Sequence, residues 1–511
     1  MGVRFNLVRG DSVIDVVSVE NMRISDSIKC NEVSSLFLMY QAALKVYEAY
    51  KWNGDTLIVS GSGNNGGDGF ALASILKANG FNVKVLTITP KMSHDAEYYY
   101  NICVKNGIEI LRYSDEFVFD SYNTIVDCIF GTGYKGDVTG IYYDLINKIN
   151  ESKAFIIAVD INSGLNGDTG LANCAIKSDL TMSIGTFKTG HFLNMAKDYI
   201  KDKINLDIDI KIVDEPYYLL EERDLMNIFK ERCEFSNKGD YGYVALIGGS
   251  LDYSGAIRLA EMATLSIISG AGVSIVGCPK SVASVVAGSI LEATIYPFDD
   301  NGGKIVYDEE KLNYLMKRCK AISFGMGIGI SDDGKKILEY LIKNYDKKLV
   351  IDADGLNMLR DIKNILPESK AKIVLTPHLK EFSRLLERDI DDILQNSIEY
   401  AKEFAKSYNI TLLLKGPTSI ITDGEDVILT DKGTSGMATA GSGDVLSGIL
   451  TGILGYTDNM ILATASAAYI NGLSGEYAEK ENNKITMTSK DTVLNIKNVI
   501  NDIISDLKEM D

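Results

Sequence analysis

A chain of 511 residues is too long for one ordinary hydrophobic core and predicts two domains. With 46% hydrophobic and 24% charged residues its composition is that of a globular protein, which excludes extended disorder. Asp and Glu outnumber Lys and Arg by 70 to 52, so the surface field repels phosphate backbones and anionic membranes, and neither nucleic acid nor a membrane is an expected partner.

The first 17 residues carry charges throughout and lack both an uninterrupted apolar core and a cleavage site, so they do not read as a signal peptide. No later stretch offers the roughly 18 uncharged apolar residues of a membrane-spanning helix. The seven cysteines, Cys30, Cys103, Cys128, Cys174, Cys233, Cys278 and Cys319, are dispersed without C-x-x-C spacing and read as reduced thiols. A cytoplasmic address is expected.

A helical opening around Val33 to Tyr50 is followed by short β-branched runs at 56, 82, 124 and 155, each ending in a Gly-rich or polar stretch and separated by segments of helical period. This alternation predicts an α/β fold with a parallel sheet, whose strand carboxyl ends gather the Gly-rich turns at one edge. From about Asp207 to Asn237 the charge is mixed and strand signals are weak. A domain boundary is expected near Leu220 to Ser236, separating residues 1–220 from 225–511. The pattern restarts at Y-V-A-L-I-G-G-S, with strands near Val273, Ala321, Leu349, Ile373 and Thr411, and Asp423-Gly424 then predicts a β-hairpin turn.

In the first half, G-S-G-N-N-G-G-D-G at Gly61 to Gly69 follows a strand and opens a helix, formally matching G-x-G-x-x-G. An ordinary dinucleotide fold also needs an acidic residue ending the second strand, but here that strand ends T-I-T-P-K. A tight turn in which glycine merely relieves crowding is the competing reading. Four further segments weigh against it: D-C-I-F-G-T-G from Asp127, D-I-N-S-G-L from Asp160, D-T-G from Asp168, and T-F-K-T-G from Thr186. Asp127 and Asp160 are placed to enter the same crevice, with Lys188 arriving from a later strand. A carboxylate and an ammonium on opposite faces of a bound ring can accept and donate protons, as a stereochemical inversion requires.

Together these segments resemble the NAD(P)H-hydrate epimerase family over roughly residues 18 to 210. The resemblance implies a Rossmann-like three-layer domain in which Asn64, Asn65, Gly66, Gly67 and Asp68, with Gly131, Thr132, Gly133, Tyr134, Lys135, Gly136 and Asp137, line the hydrated dinucleotide, joined by Tyr142 and Asp160. It further implies that Asn65, Asp127 and Ser163 hold a potassium ion, with Asp127 and Lys188 as the catalytic pair. Where the family has proline this sequence has Asn162, and a looser turn is expected there.

In the second half, G-T-S-G-M-A-T-A-G-S-G-D-V-L-S-G spans Gly433 to Gly448, and its A-G-S-G-D opens an apolar helix. Glycine-exposed amides at a helix N-terminus form an anion site. Asp444 at its mouth is unsuited to binding phosphate, because like charges repel. Its natural role is to accept a hydroxyl proton as that hydroxyl attacks phosphorus. Of the three histidines, only His378 sits in a recognisable motif, T-P-H at a strand end, with Glu381 one helical turn on.

This helix start is similar to that of ribokinase-like kinases. The further segments N-K-G-D-Y-G, G-M-G-I-G, D-A-D-G-L-N, T-P-H-L-K-E-F and L-K-G-P-T resemble the ADP- or ATP-dependent NAD(P)H-hydrate dehydratases over 225 to 505. The likeness implies that Ala256, Gly327, His378 and catalytic Asp444 meet hydrated NADH or NADPH. It places ADP or ATP, with magnesium, against Lys415, Gly416, Pro417, Thr418 and Ser419 and against Thr434, Ser435, Gly436, Met437, Ala438, Thr439, Ala440, Gly441, Ser442 and Gly443. A bifunctional repair enzyme is the expected whole, assembled as a homo-oligomer, although no stretch specifies the interface. The rival readings are a small-alcohol kinase with an N-terminal binding domain, which leaves Asp127 and Lys188 unexplained, and a non-enzymatic interaction module, which leaves the acidic motifs unexplained.

Overall fold

Along the strand Thr56–Ser60, Leu57 and Val59 join one hydrophobic cluster while Ile58 joins another. A period of two with apolar residues on both faces is what a parallel sheet covered on each side requires. In this computed structural model, which describes residues 14–214, 216–229, 234–267 and 272–510, the chain divides into two compact units, Met1–Tyr217 and Tyr218–Asp511.

The first unit carries seven parallel strands in the order Glu109–Arg112, Val83–Thr87, Thr56–Ser60, Thr124–Cys128, Phe155–Val159, Ser178–Ile184, Ile200–Leu206. Helices Ser35–Ala49, Asn64–Ala78 and His94–Lys105 contribute to one core, and helix Ile141–Asn150 to the core on the other face. The result is a Rossmann-like three-layer arrangement. The chain leaves Thr56–Ser60 in one direction to Val83–Thr87 and later returns beside it as Thr124–Cys128. That reversal of strand order opens a crevice at the carboxyl end of Thr56–Ser60, where the glycine loop lies.

Two glycines of that loop are fixed by close approach. A Cβ on Gly61 would stand 1.9 Å from the Ile129 carbonyl oxygen, and one on Gly66 would stand 2.2 Å from the Gly61 carbonyl oxygen. The D-T-G motif has a structural task as well, since Asp168 Oδ1 accepts the Val19 N–H at 2.7 Å and so ties down the start of helix Val19–Glu32. The turn at Asn162 is not loose. Its side chain donates to the Ile176 and Tyr199 carbonyls and to Ser178 Oγ, accepts from Thr181 Oγ1, and is fully buried. Where proline would stiffen the backbone, Asn162 ties neighbouring segments together.

In the second unit the sheet runs Thr294–Phe298, Val273–Pro279, Tyr243–Ile247, Cys319–Phe324, Lys348–Ile351, Lys372–Leu375, Thr411–Leu414, Ser419–Thr422, Val427–Thr430, Tyr217–Leu219. The first seven strands are parallel, and Ser419–Thr422 pairs antiparallel with both of its neighbours. Val244, Ala321, Val350, Val374 and Leu413 face a core built with helices Ser442–Leu454, Met460–Asn482 and Ser489–Met510. The intervening Ala245, Ile322, Leu349, Ile373 and Leu412 are also buried, so both faces are covered and the unit is a three-layer α/β domain.

Much of the segment with weak strand signals belongs to this second unit. Tyr217–Leu219 adds a parallel strand beside Val427–Thr430, and Leu220, Leu225 and Ile228 are buried in the same core. A three-residue strand followed by a short 3-10 turn is too brief to show a period. Cys233 and residues 1–13 lie outside the described residues; the six other cysteines are free thiols. No helix among the described residues is long and apolar enough to cross a membrane. Because the Ile129 carbonyl cannot retreat without moving its strand end, Gly61→Ala is expected to cost the first unit about 1–3 kcal/mol, read as a lower urea midpoint with unchanged slope.

Candidate active sites

At the carboxyl edge of the first sheet, the strand Phe155–Val159 delivers Asp160 and the two-residue strand Phe187–Lys188 delivers Lys188. Lys188 Nζ lies 2.6 Å from Asp160 Oδ1 and also donates to the Ile184 carbonyl at 2.8 Å. Lys188 is 1% exposed. Burial works against the Asp160 carboxylate, but the Lys188 ammonium outweighs it and holds the group below the usual carboxylate range. Asp160 Oδ2 accepts the Thr132 N–H at 3.3 Å, which seats the Gly131–Gly133 turn over the pair. Asp160 itself has φ +67°, a left-handed conformation that aspartate adopts more readily than most residues but still at a cost.

Asp127, expected to act with Lys188, is engaged elsewhere. It is completely buried at the end of Thr124–Cys128, and both its oxygens are engaged. Oδ1 accepts Ser163 Oγ–H at 2.6 Å and the Ile129 N–H at 3.1 Å, and Oδ2 accepts the Ser163 N–H at 2.8 Å. Burial pushes its carboxyl up to about 6 against those three hydrogen bonds. Asn65 lies alongside, donating to the Phe130 carbonyl at 2.9 Å, while its Oδ1 is buried without a hydrogen-bond partner.

Asn64 to Asp68 form the first turn of helix Asn64–Ala78, whose N-cap Gly63 offers no side chain to satisfy the free amides. Asp68 is pushed well above the carboxylate range by burial and by nearby Asp160 and Asp26. Tyr134 stacks on Phe130 at 4.1 Å and Tyr142 packs on the same ring at 4.9 Å, making an aromatic wall. Lys135 and Asp137 lie further out on the exposed stretch of this loop.

In the second unit the focus is Asp352, at the end of Lys348–Ile351. It receives Lys415 Nζ at 3.0 Å and Ser447 Oγ at 2.7 Å. Glu381 stands 4.0 Å from Lys415 Nζ and accepts the His378 N–H at 2.8 Å. Burial works against the Lys415 ammonium, yet Asp352, Glu381 and Asp444 hold it above the lysine range. His378 Nδ1 caps helix Leu379–Leu386 by accepting the amides of Lys380 and Glu381, and burial together with Lys415 lowers the ring.

Asp444 occupies the first turn of helix Ser442–Leu454, behind Gly441 at φ +94°. Burial and the neighbouring Asp352 push it up to about 7, with Lys415 opposing. A Cβ on Gly443 would lie 3.3 Å from Lys415 Nζ, so the glycine turn and the Lys415–Asp352 pair are one site. Thr418 Oγ1 donates to Asp431 at 3.0 Å, joining the 415–419 segment to the approach of the 434–443 loop. Ala256 and Gly327 are in mutual contact range, since a Cβ on Gly327 would meet that of Ala256 at 2.8 Å.

Three acting residues escape the sequence reading. Asp352 lies inside the quoted D-A-D-G-L-N without a role of its own. Asp26, on helix Val19–Glu32, is pushed up to about 6 by burial despite nearby Lys188, and its helix precedes every motif. His191, fully buried, contacts the backbones of both Asp160 and Lys188.

Two sheets built mainly of parallel strands, each with a glycine-rich turn and a buried lysine–aspartate pair at its carboxyl edge, define a fused two-site α/β enzyme. Residues 35–190 match the family described as YjeF-related protein N-terminus, and residues 244–498 match the NAD(P)H-hydrate dehydratase family. The bifunctional NAD(P)H-hydrate repair enzyme Nnr of Dictyoglomus turgidum is 30% identical, covering 96% of this chain and 98% of its own. That of Archaeoglobus fulgidus is 33% identical over 91% and 94% respectively. Among solved structures, the ADP/ATP-dependent NAD(P)H-hydrate dehydratase from Bacillus subtilis, co-crystallized with ATP/Mg2+, is 25% identical, covering 55% of this chain and 97% of its own with a TM-score of 0.49. The chain belongs to the bifunctional NAD(P)H-hydrate repair enzymes.

Ser163 supplies both a hydroxyl and an amide to buried Asp127. Ser163→Ala removes the hydroxyl bond to a charged group and should destabilise the first unit by about 1–3 kcal/mol, measured by chemical denaturation.

Proposed function

We propose that the first unit interconverts the R and S forms of hydrated NADH and NADPH, and that the second dehydrates the S form at the expense of ADP or ATP. The observation that carries the second assignment is Asp444, raised to about 7 at the mouth of a glycine-opened helix and beside the Lys415–Asp352 pair. A base poised near neutral pH takes a hydroxyl proton most effectively. The hydrate oxygen then bonds to the terminal phosphorus of the donor, the bond from that phosphorus to its bridging oxygen breaks, and Asp444 holds the proton. Phosphate next departs with the C–O electron pair while a proton leaves the adjacent carbon, which restores the ring double bond. Lys415 and backbone amides of the Gly441–Gly443 turn stabilise the phosphoryl charge.

Around Lys415 stand three carboxylates, Asp352, Glu381 and Asp444. That excess of negative charge fits magnesium, which binds through few carboxylates, several waters and phosphate oxygens. When bound, magnesium would neutralise donor phosphate charge.

For the first unit, Asp160 and Lys188 are the proton-handling pair favoured by the geometry, in place of Asp127 with Lys188. Asp160 reaches both Lys188 and the Gly131–Gly133 turn, whereas Asp127 is sealed. Asp26 and Asp68, both raised by burial, supply neighbouring carboxyls that retain protons where Asp160 does not. The unpartnered Asn65 Oδ1, the Asp127 carboxylate and Ser163 Oγ would hold potassium, a hard cation suited to such oxygens. Its charge would offset that of Asp127.

Four outcomes test this reading. Asp444→Asn should abolish conversion of S-hydrate to NADH, followed at 340 nm, with either nucleotide and magnesium. In the unmutated chain that rate should fall as pH drops through about 7, because the raised Asp444 becomes protonated there. A rate unchanged in Asp444→Asn refutes the mechanism. Lys188→Met should leave S-hydrate repair intact while slowing consumption of the R form, and equal loss on both would refute the division of labour. Finally, the first unit should melt higher in potassium chloride than in choline chloride of equal ionic strength, a gain that Asn65→Leu should remove.

A further inference from the structure

His191 ends the short turn Thr189–His191 directly after the strand Phe187–Lys188, and its ring lies against Phe187 at 5.6 Å. The ring's protonation follows from its partners. Nε2 is 2.7 Å from the Asp160 carbonyl oxygen, and a carbonyl only accepts, so Nε2 carries the hydrogen. Nδ1 stands between two backbone groups of Lys188, its N–H at 3.0 Å and its carbonyl oxygen at 3.1 Å; in a neutral ring protonated on Nε2 it is bare and accepts the N–H. Burial, reinforced by the Lys188 ammonium, pushes the imidazole down to about 4, so it stays neutral in this tautomer near neutral pH.

These bonds close a circuit. The Lys188 ammonium grips the Asp160 side chain at 2.6 Å, the Lys188 backbone donates to one ring nitrogen, and the other ring nitrogen donates to the Asp160 backbone. Asp160 sits in the circuit at φ +67°, with its own N–H donating to the Met182 carbonyl at 2.8 Å. A strained residue persists only where its surroundings over-determine it, and here the N–H is tied to Met182, the carbonyl to His191, and the carboxylate to both Lys188 and Thr132. Side chains on neighbouring strand ends would otherwise drift independently.

We propose that His191 is a positioning residue of the first site, fixing the backbones of Asp160 and Lys188 so that carboxylate and ammonium keep one relative geometry toward the bound ring. The inference rests on the reading that this pair performs the epimerisation. His191 exchanges no proton with substrate; it acts through the two residues it joins.

The test uses the full chain and measures interconversion of R- and S-hydrated NADH by chromatography, with no nucleotide donor, so that the second unit is idle. Thermal melts of the first unit run alongside. His191→Leu should lower kcat by about 10²-fold, the scale of a small misplacement of catalytic groups, with KM little changed. His191→Gln places an amide N–H near the Nε2 position and should recover most of the lost kcat. His191→Asn keeps only an acceptor near Nδ1 and should recover less. Should the leucine variant fail to fold, the Gln-to-Asn comparison decides alone: a glutamine variant no faster than the asparagine variant overturns the inference, as does wild-type kcat in His191→Leu. Lys188→Met separates the two levels. If it also keeps full epimerisation, the assignment of the site falls; if it loses activity while His191→Leu does not, only the positioning role falls.

Discussion

An ammonium removed from water needs a counter-charge close by, and each unit of this chain arranges the carboxyl edge of its sheet around one such pair. Lys188 meets Asp160 in the first, and Lys415 meets Asp352 in the second. Breaking a buried pair leaves a stranded charge at a cost of about 3–5 kcal/mol, so neither member of a pair can be replaced alone without that penalty. The sheets make this possible. Parallel strands bring distant segments to a common edge, and reversal of strand order beside Thr56–Ser60 and Tyr243–Ile247 opens a crevice at each such edge.

Around each pair the remaining carboxyls are driven apart in acidity by burial and by one another. In the first unit Asp160 stays ionised against Lys188 while Asp26 and Asp68 are raised. In the second, Asp444 is raised to about 7 because it shares its surroundings with Asp352. One lysine among several aspartates therefore yields groups of different proton affinity without any unusual side chain, which is how a site obtains both acids and bases near neutral pH.

Much of this was legible in the sequence. Runs of β-branched residues ending in glycine predicted the strands at 56, 82, 124 and 155 and the edge they share, and Asp423-Gly424 marked the hairpin, whose loop carries Gly424 at φ +97°. The G-S-G-D helix start announced a phosphate site because its chemistry is local: adjacent residues supply the amides and the carboxylate. The partner of Lys188 was not legible, since Asp127 and Asp160 both end neighbouring parallel strands and only the fold shows that Ser163 closes over the first. Asp26 and His191 gave no signal at all. One lies on a helix tied in through Asp168, and the other is an isolated histidine whose role depends on two backbone groups rather than on a motif.

The left-handed backbone at Asp160 also bears on how such a domain can change over generations. Few residues sit comfortably at that φ; asparagine and glycine are the chief ones, and each lacks the charge that Lys188 faces. Substitutions that the backbone tolerates are thus the ones that strand the Lys188 ammonium, while those that keep a carboxylate, such as glutamate, strain the chain. Drift at this single position is therefore blocked from both sides, and a descendant that gives up the carboxylate has to give up Lys188 with it.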